Sequence, residues 1–275
     1  MLNYSEINSF KLIRKITLVV FILLGSKFLS AGGEFCGLRN ASFQDGEIVN
    51  YNVYYSVIGL YINAGSASFE VNQEKLNNKP VYHVTGRGTS NSNYDWIFKV
   101  RDRYESFIDT NTLQPLKFIR DVDEGGYKIT ENVTFNKDAN TATSAKGVVK
   151  IPPCIQDVIS AIYYARNIDF SKYSPDERTP FTMFLDNEVY NLYIKYIGKE
   201  EIKTRYGKFN AIKFSPLLVK GTIFSGGEKM MVWVTDDANH IPIRIESPIS
   251  VGSVKVDMMG YKGLRYPLSS LIKKR

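Results

Sequence analysis

Apolar and polar residues alternate with a period of two along most of this chain, and that period restricts it to β-strands with one buried and one wetter face. Tyr51, Val53, Tyr55 and Val57 share one side of the first run, and Gly65, Ala67, Phe69 and Val71 share one side of the next. Asn63-Ala64-Gly65 and Asn77-Asn78-Lys79-Pro80 supply turn chemistry, the second ahead of a strand from Val81 to Thr85. Further runs cover Ile97 to Ile108, Pro115 to Val122 and Lys128 to Phe135, broken at Asp109-Thr110-Asn111 and Glu124-Gly125-Gly126. In the second half Tyr190 to Tyr196, Ala211 to Phe214, Met230 to Thr235, Pro242 to Ser247 and Val251 to Met259 alternate in the same way. Tyr206-Gly207, Ser225-Gly226-Gly227 and Asp236-Asp237-Ala238-Asn239 separate these runs. Connections this short join antiparallel neighbours.

One segment departs from the rule. Ile155, Val158, Ile159, Ile162 and Tyr163 recur at helical spacing just after Pro152-Pro153, which predicts a helix over Ile155–Arg166. The expected fold class is therefore mostly β: an antiparallel curved sheet or partly open β-barrel with one central helix. The expected organisation is a lead over 32–42, one β-rich domain over 43–263 and a solvated basic tail over 264–275. Within the domain, strand sets over 43–150 and 183–263 flank a helix and linker at 151–182, the best linker candidate being Asn167 to Thr182.

The N-terminus has the three zones of a secretory signal peptide over residues 1–31: Lys11, Arg14 and Lys15, then an apolar run from Ile16 to Leu24, then small residues from Ser30 to Gly33. The apolar run is about ten residues, short of the roughly 20 that span a bilayer. Cleavage near Ala31 is expected, with a retained N-terminal anchor as the alternative. Cys36 follows Glu34 and Phe35 rather than small residues, which argues against lipidation. Residues 1–31 hold four of the 35 basic and one of the 28 acidic residues, so a whole-chain charge of +7 falls to +4 beyond them. Basic residues cluster densely at Lys273-Lys274-Arg275 alone, which excludes a nucleic-acid footprint and leaves at most a weak contact with anionic lipid or polysaccharide. Cys36 and Cys154 both follow the cleavage site, and two thiols in an oxidising compartment predict one disulfide.

Motifs for chemistry are sparse. His83 and His240 both read as structural, and no G-x-S-x-G, H-E-x-x-H or G-x-x-x-x-G-K-[ST] sequence occurs. Paired carboxylates need no fixed spacing, so Asp95, Asp102, Glu105, Asp121, Asp123, Glu124 and Asp157 are candidates. The run from Asp121 to Gly126 opens like a calcium loop, but Gly125 lacks the oxygen needed at its fifth position and Asn132 replaces the twelfth-position Glu. No metal and no cofactor is expected. The aromatic surplus, 18 Tyr, 16 Phe and two Trp, fills β cores or lines apolar cavities. Charges on both faces of strands such as Lys99 to Arg103 argue against an outer-membrane barrel.

Asp45-Gly46-Glu47 leading into Tyr51-x-Val53-x-Tyr55, then Gly65-x-Ala67-x-Phe69-x-Val71, resembles the opening of the domain of unknown function 3108 family. Val100-x-Asp102-x-Tyr104-x-Ser106-x-Ile108-Asp109, Pro115, Glu124-Gly125-Gly126-Tyr127, Gln156-Asp157 and Val232-Trp233-Val234-x-x-Asp237 with Pro242 are similar to its later blocks. The likeness runs from about Phe43 to Gly263. It implies exported proteins of Gram-negative bacteria with no settled activity and no assigned catalytic residues. By fold analogy alone it also implies a half-barrel carrier of the lipoprotein-localisation type.

The resulting expectation is a non-enzymatic protein of the periplasm or the periplasmic face of the outer membrane, with no transmembrane span after cleavage. It would bind a lipid, acylated molecule or glycan in the sheet's concavity, with Trp96, Phe98, Tyr127 and Trp233 as lining residues. Two alternatives stand beside it. One is an envelope glycan or peptidoglycan hydrolase using Asp102 with Glu105 or Asp121 with Glu124; the other is an assembly subunit with an envelope protein partner.

Overall fold

The computed structural model of the chain describes residues 36–57, 60–96, 98–219, 227–249 and 252–275. The expected signal peptide, its cleavage site and the alternative anchor lie outside them. Among the described residues, fifteen strands join in one antiparallel sheet. The first half supplies β1 (Ile48–Val57), β2 (Leu60–Leu76), β3 (Lys79–Ser90), β4 (Val100–Asp109), β5 (Pro115–Glu124), β6 (Tyr127–Asn136), β7 (Thr141–Ser144) and β8 (Gly147–Lys150). After the helix α1 (Val158–Ala165) come β9 (Arg178–Leu185), β10 (Glu188–Lys203), β11 (Gly207–Pro216), β12 (Met231–Thr235), β13 (Pro242–Pro248), β14 (Ser253–Lys262) and β15 (Leu271–Lys274).

The path runs β8-β7-β6-β5-β4-β3-β2-β1-β14-β13-β12-β11-β10-β9, with β15 added to β11. Pairing of β1 with β14 fuses the two meanders, so neither half closes on itself. The end strands β8 and β9 do not pair with each other, yet side chains bring the two ends together. Arg120 on β5 meets Asp186 beyond β9, Ser144 donates to Asn187 Oδ1 at 2.9 Å, and the rings of Phe135 and Phe184 lie 5.9 Å apart. The sheet therefore curls into an unclosed barrel, as its alternation leads one to expect.

Helix α1 fills part of the concave side. Ile159, Tyr163 and Tyr164 pack with Phe43 ahead of β1, with Val84, Ile108, Phe118 and Val133 from one half of the sheet and with Ile212, Phe214, Val232 and Val234 from the other. A second cluster joins Val49, Tyr51, Phe209, Ala211, Ile243 and Met258 to Leu264, Leu268 and Leu271 of the C-terminal segment.

Three boundaries differ from those read in the sequence. The helix starts at Val158 rather than Ile155, because Gln156 is held extended along β9: its N–H donates to Thr182 O at 3.0 Å and its carbonyl accepts from Phe184 at 2.8 Å. Asp157 then caps the helix, its Oδ1 accepting from the N–H groups of Ile159 and Ser160, both at 2.8 Å. The expected linker at 167–182 is instead packed, since Phe170 is buried and stacks on Phe214, and β9 begins at Arg178. The tail expected as a solvated end forms β15, because Leu271 lies opposite the buried Phe209 and carries the chain back onto β11.

Candidate functional site

Directly opposed residues in a ladder share a face, which allows the concave side to be followed strand by strand. Gly65, Val53, Val256, Ile245 and Val232 form one such row across β2, β1, β14, β13 and β12. Val232 belongs to the core around α1, so this is the core-facing side. The first four residues of the row are only partly buried. The next row out, Ile62, Tyr55 and Val254, ends in the exposed Ile62.

Small residues continue the surface toward β4. Gly88 lies opposite both Ala67 and Asp102. A side chain at position 86 would meet the Phe69 ring at 3.0 Å and Ile159 at 3.4 Å, so glycine there lets the helix touch the sheet. A side chain at position 88 would meet only Asp102 Cβ, at 3.8 Å. The helix thus covers the sheet as far as Gly86, while the mouth beyond, floored by Gly88, Ala67, Gly65, Val53 and Val256, stays partly exposed.

The wall on β4 to β6 is polar. Asp102, Val122 and Ile129 form one row, and Tyr104, Arg120 and Glu131 the row below. Glu124 sits two residues beyond Val122 on the same face and is hydrogen-bonded to Asp102. Burial, followed by the charge and hydrogen bond of Glu124, pushes the Asp102 carboxyl up to about 7. The Asp102 carboxyl therefore still carries a proton in part near neutral pH. Arg120 holds Glu131 Oε2 at 2.8 Å and reaches Asp186, closing the seam between the sheet's ends.

Three of the four aromatic candidates stand at the rim of this mouth. Tyr127 is opposite Glu124 across a hairpin whose central residues, Gly125 and Gly126, both have positive φ, the requirement of a tight two-residue turn. The ring of Phe98 lies on Gly125, where a Cβ would approach it to 2.4 Å. Trp96 is 82% exposed and donates from Nε1 to Asn93 O at 3.1 Å. Its loop is anchored by the neighbouring Asp95, which accepts from Arg101 Nη2 at 2.6 Å and from Ser90 at 2.5 Å. Those bonds, Arg101's foremost, hold the Asp95 carboxyl below its ordinary range.

Trp233 is not part of the mouth. It is in register with Lys213 and Arg244, one residue out of phase with Val232 and Ile245, and so faces the convex side. It is 7% exposed, donates to Glu200 Oε1 at 2.6 Å, and carries Lys213 Nζ 4.8 Å above its ring. Alternation alone shows that it opposes Val232, but not which of the two faces the concavity.

The carboxylate pairs expected for hydrolysis are also separated. Asp102 faces inward, whereas Glu105, opposite Ile119, faces outward and holds His83 Nε2 at 2.7 Å and Arg103 Nη2 at 3.0 Å. Asp121, opposite Arg103, is outward while Glu124 is inward. Asp123 lies near Lys99 and Lys128, and Asp157 is the helix cap. His240 Nδ1 donates to Arg166 O, 2.7 Å away, and burial lowers its pKa. Among the described residues no group of three or more His, Cys, Asp or Glu side chains could hold a metal ion.

Cys36 and Cys154 form a disulfide with Cα atoms 5.5 Å apart. Beside it is a cavity of about 90 Å³ lined by Gln114, Phe135, Lys137, Ile151 and Pro153. Ligand pockets run to roughly 300–1,000 Å³, so this one suits a few waters. No helix among the described residues is long and apolar enough to cross a membrane.

An unclosed antiparallel barrel holding one helix, with an apolar floor and aromatic rim at its open mouth, defines the class: a β-barrel-like fold. The family model of the protein of unknown function DUF3108 matches residues 50–259, and the chain belongs to that family. A β-barrel-like protein of domain of unknown function DUF1849 from Brucella abortus has the same fold, with a TM-score of 0.55 at 9% identity, covering 81% of this chain and 99% of its own. Weaker likeness extends to an exported protein with a YmcC-like fold from Bacteroides fragilis, with a TM-score of 0.35 at 10% identity over 82% of this chain and 99% of its own. A lipoprotein from Parabacteroides distasonis gives a TM-score of 0.32 at 14% identity over 82% of this chain and all of its own. Among curated proteins none matches this sequence.

Proposed function

We propose that this is an exported, non-enzymatic protein of the bacterial envelope that holds the acyl chain of a lipid or acylated molecule in the uncovered half of its concavity. The observation that carries this reading is the partly exposed row Gly65, Val53, Val256 and Ile245, an apolar floor continuous with the core yet left uncovered by α1. Such a surface gains roughly 25 cal/mol for each Å² of apolar area it buries. Trp96, Phe98 and Tyr127 at the rim suit an amphiphile, because their rings cover the chain while the hydroxyl of the exposed Tyr127 meets its polar end. The signal-peptide pattern and the family resemblance support export. The inward and outward separation of the expected carboxylate pairs favours binding over hydrolysis, since a glycosidase needs two carboxyls facing each other about 5 to 10 Å apart.

Displacement of a fluorescent fatty acid tests the reading. The purified protein binds the probe, and Ala67→Trp, which fills the floor, weakens binding by about tenfold, the equivalent of 1.4 kcal/mol of lost contact. Equal binding by Ala67→Trp and the parent, or no binding by either, overturns it.

A further inference from the structure

The register at the remote end of β11 produces an arrangement that the mouth does not use. Lys203 on β10 lies directly opposite Lys208 on β11, and Lys208 lies directly opposite Lys273 on β15. Three lysines thus form a row across three adjacent strands on one face, all exposed. Opposed residues have Cβ atoms about 5 Å apart, and like charges so placed destabilise a sheet. Glu201 pairs with Lys208 at 2.5 Å and offsets one charge of the row. Arg205, Lys274 and Arg275 enlarge the same corner: Lys274 Nζ stands 5.3 Å over the Tyr206 ring, and the Arg275 N–H donates to Tyr206 O at 3.1 Å.

Aromatic and apolar groups border the corner on its Lys274 side. Tyr261 is exposed with its ring 6.0 Å from that of Tyr206, and Ile272 is 45% exposed between Leu271 and Lys273. Cations at the depth of lipid phosphates, with tyrosine rings and an aliphatic side chain beside them, are what a head-group interface accepts. A soluble polyanion would answer the charge but not the exposed Tyr261 and Ile272.

We propose that this corner, the Lys203–Lys208–Lys273 row with Tyr261 and Ile272, seats the protein on an anionic lipid bilayer. Electrostatic attraction offsets the repulsion built into the row, and it weakens as salt screens the charges.

Vesicle co-sedimentation of the purified chain tests this. The chain partitions onto phosphatidylcholine vesicles containing phosphatidylglycerol and not onto phosphatidylcholine alone, and added salt releases it. The triple variant Lys203→Gln, Lys208→Gln, Lys273→Gln loses about a hundredfold in partitioning, from roughly fivefold per lysine. Its thermal midpoint is unchanged or raised, because like charges have been removed, which separates loss of binding from loss of fold. Ile272→Ser reduces binding to the anionic vesicles but leaves binding to dextran sulfate intact. Equal partitioning on both vesicle types, or a triple variant that binds like the parent, overturns the proposal. So does an Ile272→Ser chain with unchanged vesicle binding, which would make the corner a site for soluble polyanions. Fatty-acid displacement at the mouth is independent of all these outcomes.

Discussion

Arg166 and Glu47 form a two-point ion pair inside the protein, with Nη1 to Oε1 at 2.5 Å and Nη2 to Oε2 at 2.9 Å, and neither side chain is more than 3% exposed. Arg166 is the C-cap of α1, Glu47 immediately precedes β1, and Arg166 Nε also donates to Asn239 O at 3.1 Å. The rings of Phe43 and Tyr163 lie 5.5 and 5.1 Å from the guanidinium. One side chain thus ties the helix to the first strand and to the turn before β13. Glu47→Ala strands a buried cation, and urea unfolding is expected to show a loss of about 3 to 5 kcal/mol.

The N-terminal end of the same helix depends on Asp157. Its Oδ2 accepts from Ser106 at 2.6 Å while Oδ1 caps Ile159 and Ser160. Asp157→Ala removes three acceptor contacts in a dry site and is expected to lower stability by about 2 to 3 kcal/mol. Ser106→Ala, which removes one of them, costs about 1 kcal/mol in the same denaturant titration.

Asp102 should make stability depend on pH. Its folded-state pKa is raised above the ordinary 3.8, through burial and then Glu124, so its contribution is complete below about 4 and is lost as pH rises toward about 7. Asp102→Asn keeps the neutral form at every pH. Thermal melts of the two proteins should therefore diverge from pH 4 to pH 7, with the variant gaining relative to the parent, and run parallel above pH 8. Parallel melts throughout would show that the fold does not raise the Asp102 carboxyl.

Reduction of the Cys36–Cys154 disulfide releases a link across 118 residues. The lead that it anchors otherwise depends on contacts such as the Leu38 N–H to Tyr164 Oη bond of 3.1 Å. Cys36→Ser is expected to lower stability by about 2 to 5 kcal/mol, measured against the parent with and without reductant.

Much of the fold was legible because strand alternation and turn chemistry are local. Glu124-Gly125-Gly126 marks its hairpin from the need for positive φ at both glycines, and Ile155 to Tyr163 marks the helix by spacing. Its true start at Val158 was hidden, since a bond from Gln156 to Thr182 on a distant strand decides it. The same limit applies to the site. Period two separates Asp102 from Glu105 and Asp121 from Glu124 onto opposite faces, so both expected pairs could have been set aside once each segment was read as a single strand. The pairing of Asp102 with Glu124 needed the β4–β5 register. Trp233 was misplaced because β12 is apolar on both faces, Val232 and Val234 facing one cluster and Trp233 the other.

Native mass spectrometry of the protein purified gently from the envelope, compared with the denatured, unreduced chain, tests the acyl-binding mouth most directly. The expected result is a reproducible added mass in the range of an acylated amphiphile, lost on denaturation and absent from a folded Val53→Trp variant whose side chain fills the floor. A bare polypeptide mass for the parent, or the same added mass on both proteins, would contradict it.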